Sequence, residues 1–315
     1  MWLQLKMFLL TTILFGILYA VIAAVATYMG IEGFFFYGVV AIVIIFIQYM
    51  IGPKIVGWSM GVRYVSEKDA PELHRMVAEL AEKAGMKKPR IGISEIAVPN
   101  AFAFGRWKSD GRVCVTRGIL NLMKEDELKA VLGHEISHIN NRDVAFITLL
   151  SVIPMICWWL SRSFMFSSNR ERGSSAALVG VFAFVLYFVT NLLVLYASRI
   201  REYGADKGSV KLGNKPSSMA SALYKLVYGS ARANKDSLKQ MEGFKAFFVN
   251  DPSRAVSDLQ SLKELDSDMS GSIDKNELER VRNAKVHVSA GGKLMEILST
   301  HPNMLKRVQH LSTLE

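Results

Sequence analysis

The stretch Glu125–Asp143, EDELKAVLGHEISHINNRD, decides the fold and contains the pattern His134-Glu135-Ile136-Ser137-His138. Residues four apart lie on the same face of an α-helix, so the two imidazoles can bind one metal ion. Apolar residues recur at helical spacing through the stretch, and no proline interrupts it, which predicts a helix. An H-E-x-x-H helix is typical of zinc hydrolases in which the glutamate acts as general base. The alternative is a surface helix that carries these three residues by chance.

The composition favours a membrane protein. The chain has 315 residues, of which 50% are hydrophobic, and a net charge of +10. Lys and Arg beside lipid headgroups explain this charge, and no nucleic-acid recognition motif accompanies it, so we expect a lipid bilayer and no nucleic acid as partner. Cys114 and Cys157 share no metal-type spacing and are expected to be ordinary buried thiols.

Four apolar runs predict four transmembrane helices, at residues 8–29, 34–51, 144–160 and 176–197. A very short turn joins the first two runs, which favours a helical hairpin over a cleaved signal peptide. The third run is short and contains Pro154, so we expect a kinked or shallow crossing. The side chains of Arg199 and Arg201, after the last run, could reach the headgroups.

The runs divide the chain into a hairpin (1–51), a catalytic segment (52–143), a second hairpin (144–197) and a second catalytic segment (198–315). The two catalytic segments alternate with the spans, so we expect them to pack into one body. The first should contain a helix at 70–84, capped by Asp69 and Glu72, and short strands at 90–96, 101–106 and 112–116. The predicted fold class is therefore a mostly α membrane protein with an α+β catalytic domain and a small sheet.

Four crossings place both termini on the same side of the membrane as residues 52–142. This segment is rich in Lys and Arg, which favours the cytoplasm. We therefore expect a multi-pass protein of the plasma (inner) membrane with its active site and both termini cytoplasmic. Arg162, Arg170 and Arg172 argue against this orientation, because they would lie in the outer loop.

A catalytic zinc site commonly has a third protein ligand. Antiparallel spans return the chain to the motif helix after Ala197, and Glu202 is the first carboxylate there, so we predict it as that ligand. Asp206, one helical turn further on, could accept the outer N–H of a ligating histidine and fix its tautomer. The alternative for both acids is a solvated helix face among neighbouring basic residues.

Several short segments carry a resemblance to a known family. The chain resembles the HtpX group of integral-membrane zinc metalloproteases, relatives of the CAAX prenyl-protein endopeptidases, over nearly its whole length. The matching segments are 99–103 (PNAFA), 115–118 (VTRG), 127–135 (ELKAVLGHE), 201–206 (REYGAD) and 301–303 (HPN) with Arg307. The resemblance implies a gluzincin-like domain that binds one zinc ion per chain through His134, His138 and Glu202, with Glu135 as the base.

The resemblance also implies roles for residues that would otherwise be ordinary. His301 and Arg307 would face the active site and help to stabilise the transition state or the substrate backbone. Asn100 would lie on an exposed strand edge, to which an extended substrate adds as a further strand. The implied substrates are polypeptides, membrane or misfolded proteins, in proteolytic quality control under stress.

Residues 266–277, DSDMSGSIDKNE, depart from the family pattern and match an EF-hand calcium loop, with Gly271 at the sharp turn. Helical patterns flank the loop at 255–265 and 277–282, and no second such loop is present in the sequence. The alternative is a polar loop in which an aspartate caps the next helix. The loop predicts Ca²⁺ as a second cofactor, with the candidate ligands Asp266, Asp268, Ser270, Ser272, Asp274 and Glu277.

Two classes of function remain open at this point. The first is an enzyme, a zinc endopeptidase at the cytoplasmic membrane face. The second is a non-catalytic membrane scaffold or calcium-responsive adaptor on the same fold. The presence of Glu135 favours the enzyme, because an inactive copy would be free to lose it. A transporter is disfavoured, because no apolar run carries an acid or base within it.

Overall fold

A computed structural model describes residues 12–13, 16–17, 34–165, 173–233, 249, 255–283 and 290–315. Backbone contacts divide the chain into two compact units. One unit comprises Met1–Ile51 and Ala145–Ser198, and the other comprises Gly52–Val144 and Arg199–Glu315. Apart from residues 12–13 and 16–17, the first predicted span lies outside the described residues.

The chain is mostly helical, with one small sheet. The strands are β1 (Val62–Tyr64), β2 (Arg90–Ser94), β3 (Ala101–Phe104) and β4 (Arg112–Thr116). Within the described residues the helices are α1 (Phe34–Ser59), α2 (Pro71–Lys83), α3 (Arg117–Leu122), α4 (Glu125–Asn140), α5 (Asp143–Met165), α6 (Gly173–Lys211), α7 (Pro216–Ala231), α8 (Ala255–Lys263), α9 (Lys275–Asn283), α10 (Ala290–Ile297) and α11 (Met304–Ser312).

Two helices in the described part of the chain are long and apolar enough to cross a membrane: α5 and residues Ala177–Lys211 of α6. Helix α5 extends beyond the third apolar run, and the kinked or shallow crossing stays a prediction. Helix α5 has 23 residues and continues through Pro154, and at 1.5 Å per residue this makes about 34 Å, enough to span the hydrocarbon core. Helix α1 begins at the second predicted span. The count of four spans stays a prediction.

The sheet has the strand order β1-β2-β4-β3 and is mixed. Strands β2 and β4 are parallel, and the other two pairs are antiparallel. Strand β3 therefore lies at an edge. The predicted strands are present but end earlier in two cases, and β1, with three residues, is too short to have produced an alternating pattern.

Helix α2 begins one residue later than predicted, and its predicted cap was wrong. Pro71 occupies the first helical position, where its missing N–H is no loss. The carboxylate of Asp69 instead accepts hydrogen bonds from the backbone N–H and hydroxyl of Ser66. Glu72 pairs with Arg75 on the exposed face of the helix.

Helix α4 lies in the unit formed by Gly52–Val144 and Arg199–Glu315. Three acidic residues in its first turn stabilise the helix, because their negative charges lie at the positive end of the helix dipole. The Glu127 carboxylate accepts a hydrogen bond from the Lys124 backbone N–H at 2.9 Å. The helix packs against α2, α7 and β3. The apolar positions that predicted this helix are buried: Leu128, Val131, Leu132 and Ile136. Cys114 and Cys157 are free and buried, as predicted.

Arg199 caps the C-terminal end of α10 through its side chain and does not extend towards lipid headgroups. Its Nη1 donates to the carbonyls of Glu296, Ile297 and Ser299 at 2.7–2.9 Å. The last carbonyls of a helix have no partner within the helix, so a buried cation satisfies them well. This contact fixes the segment that leads to His301.

Candidate metal centre

Helix α4 and the end of helix α6 bring the predicted metal ligands together. Helix α4 carries His134, Glu135 and His138 on neighbouring positions of a buried surface. The polar end of α6, beyond residue 198, carries Glu202 and Asp206 one turn apart. All of them are buried except His138, which is partly exposed.

Two glycines allow α4 and α6 to approach closely beside these residues. A Cβ built on Gly133 would lie within 3.0 Å of the side chain of Asn214. A Cβ built on Gly208 would lie within 3.0 Å of the side chain of Ser137. Real Cβ atoms do not make such contacts, so a larger residue at either position requires its neighbours to move. At Gly208 the close atoms include the Ser137 Cβ, so the movement there would involve the helices themselves.

The ligand atoms converge on one point. His134 Nε2 and His138 Nε2 are 3.1 Å apart. The Glu202 carboxylate lies beside both, with Oε2 at 3.6 Å from His134 Nε2 and Oε1 at 3.4 Å from His138 Nε2. Together the three residues could hold a metal ion.

The other nitrogen of each imidazole is already hydrogen-bonded. His134 Nδ1 lies 2.8 Å from Asp206 Oδ1, and His138 Nδ1 lies 2.6 Å from Asp143 Oδ2. A carboxylate accepts, so each Nδ1 carries the proton and each Nε2 offers a lone pair. Asp206 thus lies where the sequence predicted it.

A divalent cation fits this arrangement. Two lone pairs that face each other at 3.1 Å repel, and a cation between them removes the repulsion. Ligands at about 2.0–2.1 Å from a tetrahedral zinc ion lie about 3.3 Å from each other, which matches the observed 3.1–3.6 Å. Within the described residues, Glu202 Oε2 has no hydrogen-bond partner although it is buried. The donor set of two imidazoles and one carboxylate is that of catalytic zinc sites.

Glu135 lies next to the ligands with its carboxyl group buried. Burial raises the pKa of Glu135 above its ordinary value, and the two neighbouring histidines only partly offset this. The backbone N–H of Ala103, on the edge strand β3, also interacts with its carboxylate. A carboxylate with a raised pKa beside a metal position is suited to accept a proton at neutral pH.

Arg307 is fully buried and connects the ligands. Its Nε and Nη2 donate to the two oxygens of Asp206 at 3.0 and 2.7 Å, and its Nη1 donates to the Val249 carbonyl at 2.8 Å. Nη1 also lies 3.2 Å from Glu202 Oε2. Burial would raise the pKa of Asp206, but Arg307 and His134 lower it to about 2. The donors of Arg307 are thus directed at protein groups.

His301 lies on the other side of Glu202. Its Nδ1 is 3.4 Å from Glu202 Oε2, and the residue is buried. Burial alone would raise the pKa of Glu202, but His301 and the two ligand histidines lower it well below its ordinary value. Glu202 is therefore a carboxylate at neutral pH, as a metal ligand must be.

The prediction for Asn100 needs correction. Asn100 has no solvent exposure and precedes β3 rather than lying in its open edge. Its backbone pairs with Thr116, and its side-chain Oδ1 accepts the Val249 N–H at 3.0 Å. The side chain holds the chain near Val249, which in turn binds Arg307. Asn100 therefore contributes to the framework of the site, and its contact with a substrate strand stays a prediction.

Sequence reasoning missed several residues of the site. The buried Asp143 forms an ion pair with the partly exposed Arg201 beside His138, although Arg201 was expected at the headgroups. Gly133 and Gly208 were not singled out. The sequence features that could have indicated these residues are the small side chains of Gly133 and Gly208 and the acid Asp143, which follows His138 by five positions. Such features are also common in helices that contain no functional site.

Three of the predicted calcium ligands have carboxylate oxygens that lie close together. Carboxylate oxygens of Asp266, Asp268 and Glu277 lie within 4.8 Å of one another. Asp274 instead forms a reciprocal cap with Glu277 at the start of α9, with bonds of 2.8 and 3.1 Å. The capping alternative is therefore correct for Asp274. Ser270 and Ser272 lie in the same loop and bond to each other.

Residues 67–315 match the family model of Peptidase family M48. The chain is 56% identical over 225 residues to a Protease HtpX homolog of Methanothermobacter thermautotrophicus, covering 71% of this chain and 86% of that protein. It is 32% identical over 319 residues to a Protease HtpX homolog of Moorella thermoacetica, covering 98% and 93%.

Among solved structures, the fold is similar to a crystal structure of S. mikatae Ste24p, with a TM-score of 0.50 and 17% sequence identity. The similarity covers 98% of this chain and 66% of that longer chain. At this level of identity the likeness concerns the fold alone.

Proposed function

We propose, from the premise that this chain belongs to peptidase family M48, that it is a zinc-dependent endopeptidase of the membrane. The observation that supports this most directly is the convergence of His134 Nε2, His138 Nε2 and the Glu202 carboxylate beside the buried Glu135. The family is one of metallopeptidases, and its zinc dependence agrees with this donor set.

In this proposal His134, His138 and Glu202 would hold one zinc ion, which would supply Lewis-acid chemistry at the site. Glu135 accepts a proton from the attacking water and passes it to the leaving amine. Burial of Glu135 excludes bulk water from its carboxylate, and the raised pKa matches this cycle of accepting and releasing a proton. Asp206 keeps the Nδ1 proton of His134 in place through the reaction.

Two further residues have supporting roles in the proposal. His301 is buried beside the oxygen of Glu202 and is the candidate donor to the developing oxyanion. Arg307 holds Asp206 and the Val249 carbonyl, so we assign it to positioning of the ligands. This differs from the expectation that Arg307 would contact the substrate backbone.

The proposed substrates are extended polypeptides. Strand β3 lies at the edge of the sheet, and Ala103 on that strand contacts Glu135. A substrate that adds alongside β3 would bring a peptide bond close to the proposed base. Membrane or misfolded proteins as substrates, and a role in quality control under stress, rest on the resemblance to HtpX proteases.

For location, we propose a multi-pass protein of the plasma (inner) membrane with its active site and both termini in the cytoplasm. Helices α5 and α6 contain stretches long and apolar enough to cross the bilayer. The excess of Lys and Arg in residues 52–142 supports the orientation. The segments 1–51 and 144–197 would form the membrane part, and 52–143 with 198–315 the catalytic part.

The test uses the full chain purified in detergent. We expect about one zinc per chain by elemental analysis and cleavage of casein. Glu135→Gln should keep the zinc and reduce cleavage by about 10²–10⁴-fold, because it removes only the base. Glu202→Ala should lose most of the zinc.

The control is Glu125→Gln, the same substitution on an exposed position of the same helix. It should keep both zinc and activity. A wild-type chain without zinc, or full cleavage by Glu135→Gln, would contradict the proposal and favour a non-catalytic scaffold.

We also propose that the loop 266–277 binds a calcium ion. Asp266, Asp268 and Glu277 supply the convergent oxygens, and Asp266 and Glu277 are buried. Calorimetric titration of the full chain with calcium should give heat that disappears in the variant with Asp266→Ala and Glu277→Ala. Glu264→Ala, an exposed acid just before the loop, should leave the heat unchanged. Equal heat in all three chains would rule the loop out.

A further inference from the structure

The chain makes an unusual turn directly after the metal-binding helix. Helix α4 ends at Asn140, and α5 begins three residues later at Asp143. Between them Arg142 has a φ of +59°, one of two positive φ values at non-glycine residues in the described part of the chain. Such a conformation is disfavoured for a residue with a Cβ and persists where the surroundings require it. Here it directs Asp143 back towards the end of α4.

This turn places Asp143 against His138. Its Oδ2 lies 2.6 Å from His138 Nδ1, and the residue is 5% exposed. The other oxygen, Oδ1, forms an ion pair with Arg201, the residue before the third proposed ligand. Arg201 also donates to the Asn141 carbonyl at 3.3 Å, within the same turn. Both oxygens of Asp143 are thus engaged.

His134 has the same arrangement of a contacting aspartate that is held by an arginine. His134 Nδ1 contacts Asp206, and Asp206 is held by Arg307. Each histidine of the centre therefore has an aspartate behind it and an arginine behind the aspartate. Arg201 and Asp206 share helix α6, whereas Asp143 and Arg307 come from elements far apart in the sequence.

We propose that Asp143 and Arg201 are positioning residues for the metal centre. Asp143 keeps the proton on His138 Nδ1, so that Nε2 points a lone pair at the metal position. Arg201 fixes Asp143 and balances its charge. Outer carboxylates of this kind typically contribute 10–100-fold to metal affinity. The inference rests on the proposed metal centre, but it concerns residues that neither the motif nor the ligand set includes.

The competing view is that the Asp143–Arg201 pair is only structural and holds α4, α5 and α6 at their junction. Both views predict some loss of thermal stability when the pair is broken. Only the positioning role predicts a change at the metal itself, because only that role acts through the ring of His138.

The experiment measures metal binding in the full chain purified in detergent. Zinc affinity is determined by competition with a chromogenic chelator for wild type, Asp143→Asn and Arg201→Lys. Asp143→Asn keeps the size of the side chain but can present an amide N–H to His138, and it should weaken zinc binding 10–100-fold. Arg201→Lys keeps the charge but changes the position of the donor that contacts Asp143 and the Asn141 carbonyl, and it should weaken binding by less.

A spectroscopic readout separates the two views. With Co²⁺ in place of zinc, the visible absorption bands report ligand geometry, and they should shift in Asp143→Asn. The control is Asp126→Asn, the same substitution in the first turn of α4, where the carboxylate accepts only the Ser218 hydroxyl among the described contacts. This variant should keep wild-type affinity and spectrum.

Wild-type zinc affinity and an unchanged Co²⁺ spectrum in Asp143→Asn would overturn the inference while leaving the proposed protease intact. A wild-type chain that binds no zinc would instead refute the proposed function. If Asp143→Asn does not fold, Arg201→Lys decides: a zinc affinity equal to that of Asp126→Asn would overturn the inference.

Discussion

Arg307 is the residue whose removal should affect the site most without removing a ligand. It has no solvent exposure, donates to both oxygens of Asp206 and to the Val249 carbonyl, and lies 3.2 Å from Glu202. Without it, the buried Asp206 carboxylate would keep only the His134 N–H among its described hydrogen bonds, and Glu202 would lose a neighbouring cation. Breaking a buried pair by removing one partner typically destabilises a protein by about 3–5 kcal/mol.

We therefore predict that Arg307→Ala lowers the free energy of unfolding by about this amount and reduces zinc content. The measurement is thermal unfolding in detergent together with elemental analysis. Arg75→Ala, which removes an exposed arginine that also contacts two carboxylates, should change neither quantity appreciably. Equal unfolding temperatures for the two variants would contradict the role of Arg307 as a buried counter-ion.

Between elements, the contact of α4 with the polar end of α6 decides whether the ligands meet. Gly208 faces Ser137 so closely that a Cβ cannot fit without movement. We predict that Gly208→Ala moves the helices apart, destabilises the protein by about 1–3 kcal/mol through overpacking, and weakens zinc binding. Chelator competition and thermal unfolding measure the two effects.

A matched control is Gly52→Ala in helix α1, where an added Cβ meets nothing within 4 Å. Alanine is the better helix former, so this variant should be at least as stable as wild type. Wild-type zinc affinity in Gly208→Ala would show that the helix contact does not set the ligand geometry.

For the molecule as a whole, the metal centre joins segments that are far apart in sequence. His134 bonds to a residue 72 positions away, and Arg307 bonds to one 101 positions away. An ion that binds only the folded state stabilises it in proportion to its concentration, by about 2.7 kcal/mol at 100 times the dissociation constant. Removal of zinc should therefore lower the unfolding temperature of the whole catalytic unit.

We predict that a chelator lowers the unfolding temperature of wild type and that added zinc restores it. Glu202→Ala should have a low unfolding temperature that neither chelator nor zinc changes, because the site is incomplete. If the chelator leaves the unfolding temperature of wild type unchanged, the ion does not contribute to the stability of the folded state.

Local patterns were sufficient for the elements that position the site. The spacing of Leu128, Val131, Leu132 and Ile136 predicts α4, and these residues are buried in it. Alternating and turn residues predict β2, β3 and β4 with small errors at their ends. The start of α2 differed by one residue, because Pro71 occupies its first helical position.

The partners of the polar residues could not be read in the same way. Arg199 and Arg201 follow an apolar run, which predicts contact with headgroups, yet one closes α10 and the other pairs with Asp143. Asn100 belongs to a segment that resembles a substrate edge, yet its side chain is buried against the backbone of Val249. In each case the partner is distant in sequence, so no local pattern records it.

The sequence by itself determined which residues share a helix face, because helical and strand periodicity act over a few positions. It therefore supplied His134, His138 and Glu135 as one group, and Glu202 with Asp206 as another. Only the tertiary structure decided that the two groups meet, that Asp143 stands behind His138, and that Asn100 is enclosed. Those contacts depend on how closely α4 and α6 pack, and packing is set by the shapes of residues from several elements at once.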